Sequence, residues 1–441
     1  MTDALQVVTF ITMSEYVIDG GIPIAGKIKA SGNKNAALPC IAAVLLTDEP
    51  VILRNIPEIE DVHVMFEIFT ALGGKVESLE PNAFRLHLGN ITTSTVPIEQ
   101  AKRIRASILF AGPLLARLGK VVLPPPGGDV IGRRRLDTHF LAFAELGAKT
   151  KIADAFTFTA KPLKGADIFL DEASVTGTEN AIMAAVLATG KTILTNAASE
   201  PHVQDLCRML VSMGAQIEGI GSNILTITGV KKLSGCDFTI GADFMEVGSF
   251  IGLAAVTGGD LHIEGVRPQD LRPAKIAFGK LGIAWAHDGS VVHVPKRQAM
   301  EVNYDLGGMI PKIDDAPWPG FPPDLTSIIT VLATQVKGTV LIHEKMFESR
   351  MFFVDKLIGM GARIVLCDPH RAVVAGPSKL QGSEMTSPDV RAGMAMLIAA
   401  MCADGRSVIR NVYQIERGYE NLVERLSALG ARIIRKTPFS G

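Results

Sequence analysis

Six apolar segments of the chain open on polar residues that could do chemistry. They are SGNKNAALP (Lys34, Asn35), KRIRAS (Arg103, Arg105), ASVTGTEN (Ser174, Thr176, Glu179, Asn180), GADFMEVGS (Asp243, Glu246), FPPDLTS (Asp324) and SPDVRAG (Asp389, Arg391). If each begins a buried helix, its start presents free N–H groups and the positive end of a dipole, a setting that binds anions and phosphates. Ordinary N-capping accounts for Ser174 and Asp324. It does not account for Lys34, Arg105 and Arg391, because a cation opposes the dipole there and is best tolerated where an anion arrives. Two more basic clusters point the same way. PPPGGDVIGRRRLDTH at 124–139 is a Pro- and Gly-rich loop followed by Arg133, Arg134 and Arg135, and NVYQIERGYE carries Arg417. Arginine suits a bidentate grip on carboxylate or phosphate, although three adjacent arginines also read as a solvated charge run.

Other chemistries find no support. TGKT at 189–192 ends like a Walker A loop, but Ala185 stands where the first glycine is needed and the stretch follows a helical pattern instead of preceding one. No GxGxxG follows a strand pattern. The nine histidines do not cluster along the chain, and the five cysteines (Cys40, Cys207, Cys236, Cys367, Cys402) show no zinc spacing. The reading is a reducing compartment, no structural metal, and no nucleophilic triad.

The elements that position these residues repeat. A Leu-Gly or Met-Gly closes a helical pattern at Gly73, Gly147, Gly214, Gly282, Gly361 and Gly430, and a short β-rich run follows each one. Glycine just past a helix is the usual left-handed cap, so each pair predicts a helix end feeding a strand. Upstream of each glycine lies a turn and a second β run, and before that a segment apolar on all sides, such as NAIMAAVLAT or RAGMAMLIAAM. A helix apolar all round is a buried helix. Two independent marks keep phase through six units, which argues for a true internal repeat and predicts two lobes of three units, with a cleft where ligands bind.

Composition agrees with a chain that buries large cores. It has 441 residues, 47% hydrophobic and only 6% aromatic, with 44 Lys plus Arg against 45 Asp plus Glu. That balance argues against a protein held on nucleic acid by bulk charge. The longest apolar runs, 36–46 and 395–403, fall short of the ~18 residues that span a bilayer. The opening residues lack a basic leader and a small-residue cleavage site, so a cytoplasmic location is expected.

The motifs SGNKNAALP, PGGDVIGRRRLDTH, SVTGTEN, PGFPPDL, MFESRMFF, DVRAG and QIERGYE, in that order, resemble the UDP-N-acetylglucosamine 1-carboxyvinyltransferases of the enolpyruvyl transferase family. The match runs from about 16 to 434. The resemblance implies an α+β fold, a two-lobed inside-out αβ barrel of six βαβαββ-like repeats with buried helices. One lobe would span 34–241 and the other 1–33 plus 242–441, with the active site in the cleft between. It implies transfer of the enolpyruvyl group of phosphoenolpyruvate to the sugar 3′-hydroxyl with release of phosphate, and no metal or organic cofactor. By motif, Lys34 and Asn35 would bind phosphoenolpyruvate, Arg134 and Arg417 would hold its phosphate and carboxylate, and Arg350 and Arg391 would complete a basic wall. Asp324 would take the hydroxyl proton. Arg105, Arg134, Arg135, Leu136, Asp137, Thr138, Ser174, Val175, Thr176 and the main chain at Met346 would hold the nucleotide sugar. Asp129 occupies the loop position where most members carry a reactive cysteine. Glu172 and Phe244 also depart from the family pattern, which expects Lys and Arg there. Those departures motivate one alternative, a different sugar nucleotide; the other is a repeat scaffold without catalysis.

Overall fold

The computed structural model of the chain describes residues 14–128 and 135–437. These contain six small sheets, five of four strands and one of three. The sheet built on Asp167–Phe169, Lys191–Thr195, Gln216–Glu218 and Ile224–Thr228 gives the pattern. The first strand runs parallel to the second, with Ile193 opposite Asp167, and the last two add antiparallel on the other side. A buried helix joins the first two strands, and an outer helix, Pro201–Ser212, leads to the closing hairpin. This is βαβαββ, as the repeat predicts. No described sheet closes on itself, so the described sheets form no closed barrel.

Six helices form the interior: α1 (Lys34–Ala43), α2 (Ala111–Leu118), α3 (Val175–Ala185), α4 (Phe244–Thr257), α5 (Thr326–Gln335) and α6 (Val390–Cys402). In α4 every residue from Phe244 to Ala255 is buried. Strands instead alternate, as in Asp260–Glu264, where only Leu261 and Ile263 are buried. Helices take the core because a strand can offer only one face to it. Gly248 and Gly252 let α4 and α5 meet closely. An added Cβ would lie 3.0 Å from Leu325 Cδ1 at the first and 2.9 Å from Leu332 Cδ1 at the second. The glycines that mark the repeat all have positive φ, from 67° at Gly282 to 109° at Gly73. That conformation costs a residue with a Cβ and terminates the helix before each strand.

The described residues divide into two compact units, 14–30 with 242–437 and 31–128 with 135–241. Each has its own apolar core. In the first unit, α4, α5 and α6 touch in all three pairings. In the second, α2 packs on α3, and a 3-10 turn, Arg105–Phe110, reaches both α1 and α3. The apolar segment RASILFAGPLLARL is therefore a 3-10 turn followed by a short α-helix, and not one continuous buried helix.

The sheets borrow strands from far along the chain. Ala25–Lys29 pairs with Asp260–Glu264, Asp237–Thr239 pairs with Val51–Arg54, and Glu15–Asp19 sits between Arg406–Arg410 and Arg432–Lys436. In the three-stranded sheet, a lone bridge from Thr95 to Val122 takes the place of the first strand. Among the described residues no helix is long and apolar enough to cross a membrane.

Candidate active site

In the unit of residues 31–241, the start of α1 carries the first candidates. Asn33 is the N-cap, its side chain accepting from the Ala36 N–H at 3.2 Å. Lys34, the next residue, pairs with Asp61 Oδ2 at 2.6 Å, and the two side chains are only 12% and 6% exposed. The anion that excuses a cation at this helix start is thus supplied by the chain itself, from the first turn of the helix Glu60–Ala71. An ammonium has three donors, so Lys34 can keep Asp61 and still meet a phosphate. Asn35 is half-buried beside it.

Arg105 opens the 3-10 turn and donates through Nη2 to the Arg135 carbonyl at 3.1 Å. Arg135 in turn pairs with Asp137 at 3.0 Å and Asp171 at 3.4 Å, and Thr138 donates to Asp171 at 2.7 Å. Leu136 is the N-cap position of Asp137–Glu145, where the acidic Asp137 complements the dipole. Ser174 caps α3 through a bond from the Gly177 N–H at 3.2 Å, and Val175 and Thr176 follow half-buried in its first turn. Asp129 and Arg134 lie outside the described residues.

His139 orders this group of residues. Burial, with the Arg105 cation adding to it, pushes its pKa down to about 3, so the ring is neutral. Asn180 Nδ2 donates to Nδ1 at 2.9 Å, which leaves Nε2–H to donate to the Thr176 hydroxyl at 3.1 Å. Asn180 also donates to the Ile108 carbonyl at 2.9 Å and accepts from the Gly112 N–H at 2.8 Å. Replacing Asn180 by Ala strands three buried polar groups at about 1–3 kcal/mol each. Urea unfolding is expected to show a loss of at least about 3 kcal/mol, with an unchanged denaturant slope.

In the other unit, Asp324 lies in the 3-10 turn Pro323–Leu325 that leads into α5. The sequence allows it as a helix cap, and the structure corrects this. The cap positions are Pro322 and Leu325, and neither makes a side-chain cap bond. Asp324 instead takes Arg350 Nη2 on Oδ1 at 2.9 Å and Arg391 Nε on Oδ2 at 3.1 Å. The arginine side chains are 4% and 6% exposed and the carboxylate 23%. Asp324 is therefore the reachable end of a buried basic cluster. Arg391 follows the N-cap Asp389, donates to Tyr419 Oη at 3.2 Å, and Tyr419 is in turn bonded to Ser249. Arg350 stacks on Phe347 at 4.7 Å, and the Met346 N–H donates to Glu344 at 3.2 Å. Arg417 is buried at the end of the helical turn Tyr413–Glu416, which presents it, and donates to Gln414 at 3.0 Å.

Several polar residues of the opening motifs are structural. Glu246 forms a two-bond pair with Arg425, Asp243 caps α4, and Arg103 pairs with Glu60 and Glu67. Phe244 packs edge-on against Trp318 at 5.8 Å, so an apolar contact replaces the charge the family pattern expects, while Glu172 stays exposed. Histidines do meet in space. Strand pairing sets His262 opposite His293 with rings stacked at 4.2 Å, and Asp260 bonds His293 at 3.0 Å. His139 and Tyr419 lie inside the quoted motifs, but the partners Asp61 and Asp171 have no sequence signal of their own. They are brought in by packing from other segments.

The family follows from comparison with known proteins. A profile described as EPSP synthase (3-phosphoshikimate 1-carboxyvinyltransferase) matches residues 18–426. A UDP-N-acetylglucosamine 1-carboxyvinyltransferase of Treponema denticola is 71% identical over 96% of this chain and 99% of its own. The chain belongs to this family. A relative of the same name from Bradyrhizobium diazoefficiens is 56% identical over 96% of this chain and 98% of its own. Among solved structures, the enolpyruvyl transferase NikO from Streptomyces tendae has a TM-score of 0.85 at 24% identity, covering 97% of this chain and all of that one. EPSP synthase from Acinetobacter baumannii has a TM-score of 0.74 at 17% identity, with the same coverage. These two likenesses establish the two-domain α/β fold of enolpyruvyl transferases.

Proposed function

We propose that the protein transfers the enolpyruvyl group of phosphoenolpyruvate to the 3′-hydroxyl of UDP-N-acetylglucosamine and releases phosphate, the first committed step of peptidoglycan synthesis. The observation that carries this is the 71% identity to the Treponema denticola protein over nearly the whole of both chains. The residues support it chemically. Asp324 takes the hydroxyl proton as the oxygen attacks C2 of phosphoenolpyruvate, and Asp129 delivers a proton to the methylene carbon. In the second stage the methyl group loses a proton and phosphate departs. Charge builds on C2 and on the leaving phosphate, and fixed groups of opposite sign stabilise both. Lys34, Asn35, Arg134 and Arg417 hold phosphoenolpyruvate. Arg105, Arg135, Leu136, Asp137, Thr138, Ser174, Val175, Thr176 and the Met346 main chain hold the nucleotide sugar. Arg350 and Arg391 hold Asp324.

The substrates are small molecules, and the place of work is the cytoplasm. All five cysteines are free, four of them buried or half-buried against the apolar cores, as suits a reducing compartment. The test is phosphate release from purified protein with phosphoenolpyruvate and UDP-N-acetylglucosamine. Release is expected with that pair and not with shikimate 3-phosphate; the reverse result overturns the substrate assignment.

A further inference from the structure

Beside the Asp324 cluster lies a second carboxyl pair that the reaction does not use. Asp315 follows the strand Lys312–Asp314, and Glu344 follows Gly338–His343, its parallel neighbour, so pairing of Asp314 with His343 brings the two acids together. Both residues are 0% exposed. One oxygen of each has clear work. Asp315 Oδ1 accepts from the Lys345 N–H, and Glu344 Oε1 accepts from the N–H groups of Met346 and Phe347 at 3.2 and 3.1 Å. The other oxygens, Asp315 Oδ2 and Glu344 Oε2, are fully buried and in no well-formed hydrogen bond, and so are Arg350 Nε and the Thr326 hydroxyl, which lie near enough to favour the Glu344 charge. Two ionised carboxylates cannot share such a place at reasonable cost, whereas one proton between them supplies the missing donor.

We propose that Asp315 and Glu344 share one proton, and that this pair is a positioning device that fixes the segment 344–350 and hence Arg350 against Asp324. Three consecutive N–H groups of the segment, at 345, 346 and 347, end on the pair. Arg350 at its far end is bonded to Asp324. Burial first, then the Asp315 carboxyl, raise Glu344 to about 8, against the opposing pull of Arg350 and Thr326. Around the pair also stand His370, whose Nδ1 meets the Glu344 carbonyl, His343, and the Lys312–Asp314–Lys345 ion pairs. Loss of the shared proton leaves two like charges in contact and loosens the segment they hold. The inference rests on the proposed reaction for its kinetic consequence but not for the proton itself.

The experiment compares Glu344→Gln, Glu344→Ala and the unchanged enzyme. Glutamine supplies a permanent donor toward Asp315 while its oxygen still accepts from 346 and 347. The unchanged enzyme is expected to lose kcat/KM as pH rises through about 8, and Glu344→Gln to lack that limb. Glu344→Ala is expected to lose roughly 10–10²-fold, the scale of a misplaced catalytic group, and Glu344→Gln to recover most of it. Between the ordinary carboxyl range and about 8, the folded chain holds a proton that the unfolded chain lacks. Stability therefore falls as pH rises across that window, and Glu344→Gln should flatten the fall. Independently of any substrate, the infrared spectrum at neutral pH should show a buried carboxylic-acid band that Glu344→Gln removes. Absence of that band, or an alkaline limb unchanged in Glu344→Gln, overturns the proposal. Failure of phosphate release with the band present overturns only the reaction.

Discussion

Asp324→Asn is expected to lower kcat by roughly 10²–10⁴-fold, the usual worth of a positioned general base. The substitution keeps size and both hydrogen-bonding positions but removes the charge and one acceptor. It also leaves Arg350 and Arg391, both nearly buried, without their counter-ion. Breaking a buried pair on one side typically costs about 3–5 kcal/mol, so this variant will melt early as well as turn over slowly. The two losses separate by experiment. Turnover is measured below the melting transition, with the folded fraction checked by circular dichroism and UDP-N-acetylglucosamine binding by calorimetry. A folded variant that binds the sugar nucleotide and turns over at the normal rate would show that Asp324 serves only to neutralise the two arginines.

That combination of roles was only partly legible in the sequence. The acid itself stood out, because FPPDLTS opens an apolar helix, but its position before a helix suggested capping. The bonds from Arg350 and Arg391 come from residues 26 and 67 positions away, the second brought close by packing of α5 and α6. Lys34 shows the same limit. Its oddity at a helix start was readable and implied an anion, yet nothing local pointed to Asp61. The repeat was legible for the opposite reason, since its marks are local: a positive-φ glycine after each helix and an all-apolar helix before each strand. The exchange of first strands was not. Ala25–Lys29 and Asp237–Thr239 are short and largely exposed, and their partners lie more than 180 residues away along the chain. A strand that short carries too little pattern to name its neighbour. His262 and His293 likewise became neighbours only through register.

Asp129→Ala is expected to lose most activity, and Asp129→Cys to keep it while becoming sensitive to fosfomycin, an epoxide that alkylates the loop cysteine found at this position in most of the family. The residue lies outside the described segments, so the argument is chemical. A thiolate is a strong nucleophile toward an epoxide and a carboxylate a far weaker one, so the unaltered protein is expected to be insensitive. Proton delivery is a different demand. Either a thiol or a carboxylic acid can protonate the methylene carbon of phosphoenolpyruvate, provided it holds a proton when the substrate is bound. An aspartic acid in water titrates at about 3.9, so it must be desolvated to serve near neutrality, while the arginines that follow in the sequence oppose that shift. A general acid fails once it has lost its proton, so in the Glu344→Gln background, where the carboxyl-pair limb is absent, the loss of rate at high pH should shift when Asp129→Cys is added. Carboxyl and thiol lose their protons over different ranges, and the thiol holds its proton to higher pH. Aspartate is also common after a Gly-Gly turn such as Gly127-Gly128, where it needs no catalytic role. The alanine variant separates these readings: a general acid predicts roughly 10²–10⁴-fold loss, whereas a turn residue predicts full activity.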